Sequence, residues 1–176
     1  MIFEEKTISS QMLYEGRILN LRKDTVEVAD GSVSAREIVE HNGGVAIVAM
    51  TDDNKMIMVK QFRKAAEKVI LEVPAGKCEK NEDPMITAVR ELKEETGYTA
   101  AHIKFLTKFY SSVGYSAEMI HLYLCTGLTP GETDFDENED IETIKYDLDE
   151  LHEMVISGEI EDAKTIIAIL MARDIF

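Results

Sequence analysis

The order of elements written into this sequence predicts an α+β fold, a mixed sheet flanked by helices. Three observations carry that expectation. Short β-rich runs separated by turn residues fill the front of the chain. The apolar period then switches to the helical one over Pro84–Gly97. Two more helical stretches close the chain, headed by Asp147 and Asp162. At 176 residues the chain can bury roughly two-thirds of its unfolded surface, and one domain is the first expectation.

The elements follow in order. Arg17–Val28 and Val33–His41 read as a strand pair joined at Asp30-Gly31. Gly44–Thr51 and Met56–Phe62 form a second pair, with Asp52–Lys55 as its turn. Lys68–Val73 is a short β-rich run ending at Pro74-Ala75-Gly76. Met85, Ala88, Val89 and Leu92 then fall on one helical face, with Asp83 to cap that helix, Pro84 in its first turn and Gly97 to stop it. Ile103–Tyr110 and Met119–Cys125 are further strands, the second rich in β-branched and aromatic residues. An acidic loop, Gly131–Asp140, leads to a strand over Ile141–Tyr146. Asp147 and Glu150 have capping-box spacing for a helix to about Ser157, and Asp162 heads a last helix carrying Ile166, Ile167 and Leu170.

Charge narrows the function classes. The net charge is -15, from 34 acidic and 19 basic residues. Nucleic-acid binding relies on Lys and Arg neutralising phosphates, so no nucleic-acid partner is expected, and an anionic membrane surface is disfavoured too. A small anionic substrate requires a cation or a local Arg/Lys cluster to screen it. Cys78 and Cys125 stand far apart and in no CxxC pattern, which suits a reducing compartment. His41, His102, His121 and His152 lack metal-ligand spacing and are read as ordinary strand or helix residues. Met1–Ser10 lacks the pattern of a secretory signal, and the longest apolar run, Val45–Met50, is far short of a membrane span. A cytoplasmic location is expected.

Chemistry concentrates in Gly76–Tyr98, where a loop enters a helix carrying Arg90, Glu91, Glu94 and Glu95. Glu91 and Glu95 are one turn apart on one face, and Glu94 is beside Glu91 at i, i+3. All three are expected on the flank away from Met85, Ala88, Val89 and Leu92. Carboxylates this close repel one another unless a cation sits among them, and Mg²⁺, a hard ion that prefers oxygen, suits the position. Such ions neutralise a diphosphate and generate hydroxide. Arg90 is spaced to pair with Glu94 and orient it. Taken alone, Arg90–Glu95 also reads as a solvent-exposed acidic helix.

The full segment weighs against that alternative. Gly76, Glu82, Arg90, Glu91, Leu92, Glu94, Glu95, Gly97 and Tyr98 match the Nudix box, with only Tyr98 departing from an aliphatic position. A chance match of this length has a probability of roughly one in a million or less from ordinary residue frequencies. The sequence therefore resembles the Nudix hydrolase family. The resemblance implies an α/β/α sandwich, hydrolysis of a nucleoside diphosphate linked to another group, and Mg²⁺ or Mn²⁺ as cofactor. It implies Glu91, Glu95 and the Ala75 carbonyl as metal ligands, with Glu94 as a second-metal or supporting ligand and Glu91 and Glu95 in the catalytic set.

Beyond the box, the chain resembles the ADP-ribose pyrophosphatase subfamily from about Gly43 to Leu170. The matching runs are Val59–Arg63, Leu71–Lys77, Gly114–Glu118, Asp136–Ile141 and Gly158–Thr165. The resemblance implies cleavage of ADP-ribose to AMP and ribose 5-phosphate, or else action on another ADP-sugar or similar nucleoside diphosphate derivative; the alternative from a different class is a non-catalytic sensor that binds ADP-ribose. It places the general base at Glu137 and an added metal ligand at Glu139, or the two exchanged; without it, this is a solvated acidic loop. Arg63 is the candidate pyrophosphate or ribose contact through its donor fork, or else a surface Arg at a strand end. Lys77 is a further substrate-binding candidate. Arg36-Glu37 fits an Arg-Glu pair that similar enzymes extend to the partner's substrate, which implies a homodimer. The expected division is a strand extension over 1–42, serving dimerisation, and a Nudix domain over 43–176. One departure stands out: Val113 occupies the place where the subfamily carries a proline that presets a loop backbone.

Overall fold

The computed structural model describes residues 2–135 and 140–176. In chain order the elements are β1 (Lys6–Glu15), β2 (Asn20–Glu27), β3 (Val33–Glu40), β4 (Gly44–Ala49), β5 (Lys55–Arg63), β6 (Lys68–Glu72), β7 (Ala75–Lys77), α1 (Pro84–Thr96), β8 (Thr99–Tyr110), β9 (Met119–Thr129), β10 (Ile141–Asp147), α2 (Leu148–Ile156) and α3 (Ala163–Ile175). They divide into two compact units, Met1–Gly43 with Tyr110–Met119, and Gly44–Phe109 with Ile120–Phe176.

The larger unit holds a four-stranded sheet in the order β7-β4-β9-β8 and a three-stranded sheet in the order β10-β5-β6. β4 runs parallel to β9 and antiparallel to β7, so the sheet is mixed, as the order of elements predicts. β4 is buried at every position. Alternate side chains leave opposite faces of a strand, and here both faces are covered. Ala46 and Val48 join Met56, Met58, Leu122 and Leu124 in one core, where Leu148, Leu151, Ala168 and Ile169 of α2 and α3 meet them. Val45, Ile47 and Ala49 join Ile57, Tyr123 and Cys125 in a second core, closed by Ala88 and Leu92 of α1. Helices on both sides of the strands give the α/β/α layering that the resemblance implies.

The smaller unit is an antiparallel meander, β1-β2-β3, together with the 110–119 segment. That segment is tied to β3: Val39 N–H donates to Tyr115 O, and Ala117 N–H donates to Val39 O.

Four expectations need correction. A strand, β1, precedes the expected pair; every residue of it is exposed, so no apolar alternation marked it. β8 and β9 extend beyond Ile103–Tyr110 and Met119–Cys125, because pairing continues into residues of mixed polarity. Met85 and Val89 are each 47% exposed, whereas Glu95 is buried beside Leu92 and Thr96, so the apolar stripe and the acidic flank are not cleanly separated. Asp147 stands at the N-cap of α2, but its side chain makes no capping bond; the residue is also the last of β10, opposite Lys55.

Candidate active site

α1 is framed by strong local signals. The Asp83 carboxylate accepts from Met85 N–H, Pro84 opens the helix, and Gly97 closes it at φ 74° with its N–H on Lys93 O. Inside this frame Arg90 gathers the acidic side chains. Its Nη1 donates to Glu91 Oε1 and to Glu94 Oε2, each at 2.8 Å. Its Nη2 reaches Glu82 Oε2 at 3.3 Å and Lys77 O at 3.4 Å. The expected Arg90–Glu94 pair is present, and the same guanidinium also holds Glu91.

The strand before α1 supplies the other wall. A Cβ at Gly76 would lie 1.9 Å from the Glu91 carboxyl carbon, so glycine leaves the space that the carboxylate fills. Glu95 is 5% exposed, and its Oε2 accepts from Ala75 N–H at 2.9 Å. A carboxylate that deep requires such a donor. Ala75 and Gly76 thus pack against the two glutamates expected to bind metal.

Electrostatics reinforce the cluster. Burial alone would lower the Arg90 pKa, but the hydrogen bonds it donates to Glu82, Glu91 and Glu94 and the Glu91 charge raise it well above its usual value. Glu82 is held below the usual carboxylate range, first by the Glu79 backbone N–H and then by Arg90.

Among the described residues no three His, Cys, Asp or Glu side chains already converge to hold a metal. The donor chemistry nonetheless fits a hard divalent cation. Glu91 and Glu94 are drawn to one nitrogen, Glu95 is one turn on, and all the donors are oxygens.

Other candidates are distributed as follows. Arg63, at the end of β5, makes two parallel bonds to Glu72, at 2.6 and 2.9 Å. Lys77 is exposed, and its carbonyl rather than its ammonium meets Arg90. Arg36 and Glu37 lie on β3 of the smaller unit, where Arg36 pairs with Glu5. Glu137 and Glu139 lie outside the described residues. Their described flanks are fastened to α1: Asp134 N–H donates to Glu94 O at 3.1 Å, and the Thr143 hydroxyl donates to Glu95 O at 3.2 Å. Val113 is exposed, and its loop is closed by Ser116 N–H on Ser112 O. Both cysteines are free and buried, and no helix among the described residues is long and apolar enough to cross a membrane. Sequence reasoning read Asp162 only as the head of the last helix and gave no role to Glu72 or Lys164; the three meet through space from β6 and from the start of α3.

The comparisons with known proteins agree with this geometry. A family model described as the NUDIX domain matches residues 40–168, and one described as the nucleoside diphosphate sugar hydrolase N-terminal domain matches residues 5–39. The chain is 46% identical over 170 residues to a methanol dehydrogenase activator from Bacillus methanolicus, covering 96% of this chain and 92% of that one. It is 46% identical over 168 residues to an ADP-ribose pyrophosphatase from Bacillus subtilis, covering 94% and 91%. A crystal structure of an ADP compounds hydrolase superposes with a TM-score of 0.87 at 20% identity, covering 99% and 95%; it supports the fold.

Proposed function

The chain belongs to the NUDIX domain family, and from that premise we propose that it is a metal-dependent pyrophosphohydrolase that cleaves ADP-ribose to AMP and ribose 5-phosphate. The observation that carries the reading is the Arg90-centred carboxylate cluster against Ala75-Gly76, in a chain 46% identical to an ADP-ribose pyrophosphatase. We assign Mg²⁺ as the ion, with Mn²⁺ as a substitute, and Glu91, Glu95, the Ala75 carbonyl, Glu94 and Glu139 as its ligands. When bound, a hard divalent cation neutralises the diphosphate and acidifies water.

The chain's own residues do the rest. Arg90 keeps Glu91 and Glu94 from rotating away, and Ala75 N–H fixes Glu95. Arg63 and Lys77 supply positive charge for the phosphates. Glu137 takes the proton of the attacking water; its oxygen joins one phosphorus while the bridging oxygen leaves with the other phosphate. Arg36 and Glu37 reach the substrate of a second copy, so the working unit is a homodimer, with the 1–42 strands as its dimerisation element and 43–176 as the catalytic domain. The substrate is a small nucleotide-sugar, with no nucleic-acid or membrane partner. Two free, buried cysteines suit a reducing compartment, which supports a cytoplasmic location.

AMP release from ADP-ribose by wild type and Glu95→Gln, with Mg²⁺ and then with EDTA, tests the reading. Turnover that needs metal and collapses in the variant is expected. Turnover only of other nucleoside diphosphate sugars would move the substrate assignment and leave the reaction class. The relative described as a methanol dehydrogenase activator favours a second reading, in which the chain binds nucleotide and acts on a partner enzyme. Tight ADP-ribose binding without turnover would select it.

A further inference from the structure

The Arg63–Glu72 pair is the end of a longer chain of charges. Glu72, the last residue of β6, is 2% exposed and accepts both Arg63 bonds on its two oxygens. The same carboxylate accepts from Lys164 Nζ. Lys164 also donates to Asp162 Oδ2 at 2.9 Å. Asp162 caps α3, accepting from the Thr165 N–H at 3.0 Å and its hydroxyl at 2.6 Å. Thr165 Oγ1 in turn accepts from Val73 N–H at 3.0 Å, two residues before Ala75. Two cations and two carboxylates balance. Arg63, Glu72, Asp162 and Lys164 all face one cleft of about 400 Å³.

Stability alone does not account for this arrangement, because apolar side chains of similar volume can replace buried ion pairs at little or no cost. What the chain provides is orientation. A guanidinium on a long, flexible stem is fixed in plane by two parallel bonds to a carboxylate that is itself buried and held by Lys164. Arg63 Nη1 has no hydrogen-bond partner among the described residues and remains available to an anion. Arg63 is raised above its usual pKa, first by its hydrogen bonds to Glu72 and further by the charges of Glu72, Glu95 and Asp162, so one box carboxylate, Glu95, acts on the guanidinium.

We propose that Glu72 is a positioning residue, held by Lys164 and Asp162, that fixes the Arg63 guanidinium so that its third nitrogen meets the substrate diphosphate. This rests on the reading of Arg63 as a diphosphate contact. It gives a purpose to the Asp162–Thr165 stretch, which also braces the backbone leading into Ala75-Gly76.

The test is a double-mutant cycle on ADP-ribose affinity, measured calorimetrically in EDTA, where hydrolysis does not interfere. Arg63→Ala is expected to weaken binding about 10- to 100-fold, Glu72→Gln to weaken it in the same range, and the double variant to be no worse than Arg63→Ala. Glu72→Gln/Lys164→Met keeps the charge balance; it should recover the wild-type melting temperature and still bind weakly. In parallel, the Arg63 Nε–H resonance should be protected from exchange in wild type and lose protection in Glu72→Gln with the amide spectrum otherwise retained. Additive losses in the cycle, or restored affinity in the charge-balanced variant, would make Glu72 a structural residue and overturn the proposal. Unchanged affinity in Arg63→Ala would do the same. No ADP-ribose binding by wild type would defeat the proposed function instead, and the Nε–H resonance would then decide whether Glu72 holds Arg63.

Discussion

At the scale of single residues, the box glutamates depend on neighbours that carry no reactive group. Gly76 is one: its missing side chain is the space the Glu91 carboxylate fills. Gly76→Ala must push that carboxylate aside. Metal affinity, read by calorimetry, is expected to fall about 10- to 100-fold, as for other supporting positions, while far-ultraviolet dichroism is unchanged. Wild-type affinity in the variant would show that Glu91 is not held there. Arg90→Lys makes a related point, since one ammonium cannot reproduce a fork shared among Glu82, Glu91 and Glu94. A second residue-scale prediction concerns Cys125, whose thiol burial pushes up to about 12. The folded form keeps its proton where the unfolded thiol loses it, near the usual value of about 8.5. Stability from this group is therefore intact below that value and drains away as pH rises toward about 12. Denaturant melts of wild type and Cys125→Ala should diverge over that window, and parallel curves would refute the assignment. Arg90, Glu91, Glu94 and Glu95 were legible in the sequence because i+3 and i+4 neighbours follow from helix geometry alone. The hold of Gly76 on Glu91, and of Glu72 on Arg63, depends on strand placement that no local spacing encodes.

At the scale of elements, α1 shows how a helix can be both anchor and site. Ala88 and Leu92 fill one core, and Glu95 and Thr96 follow them onto the buried side. The start and stop of α1 were read correctly because Asp83, Pro84 and Gly97 are local signals. The burial of Glu95 was not, because it depends on Ala75 N–H arriving from β7. β1 was missed for the opposite reason: an entirely exposed strand has no buried face to imprint a period of two. Gly97 is constrained twice, by its positive φ and by Gly131 O, which a Cβ would meet at 2.7 Å. Gly97→Ala is thus expected to destabilise the fold by about 1–2 kcal/mol or more in chemical denaturation. Leu92→Ala, on the same helix, should cost about 2–5 kcal/mol through the cavity it leaves. A Gly97→Ala variant as stable as wild type would mean that the helix ends elsewhere.

At the scale of the whole molecule, the outstanding question is what the N-terminal strands are for. β1 presents Ile8, Met12, Leu13 and Tyr14 to solvent, each more than two-fifths exposed. An edge strand so furnished invites a further surface, and the homodimer reading supplies it with a second copy. Light scattering at micromolar concentration should then give twice the 19.8 kDa protomer mass. The stronger test joins this unit to catalysis. If Arg36 serves the other protomer's substrate, Arg36→Ala and Glu95→Gln damage different sites of a mixed dimer. One site then carries both defects, and the other pairs an intact Glu95 with an intact Arg36 from its partner. Each variant alone should be nearly inactive, whereas the two co-expressed in equal amounts should recover roughly a quarter of wild-type activity, since half the dimers are mixed and one site in each is whole. Recovery no greater than the sum of the two variants would confine Arg36 to its own chain and remove the catalytic reason for the dimer.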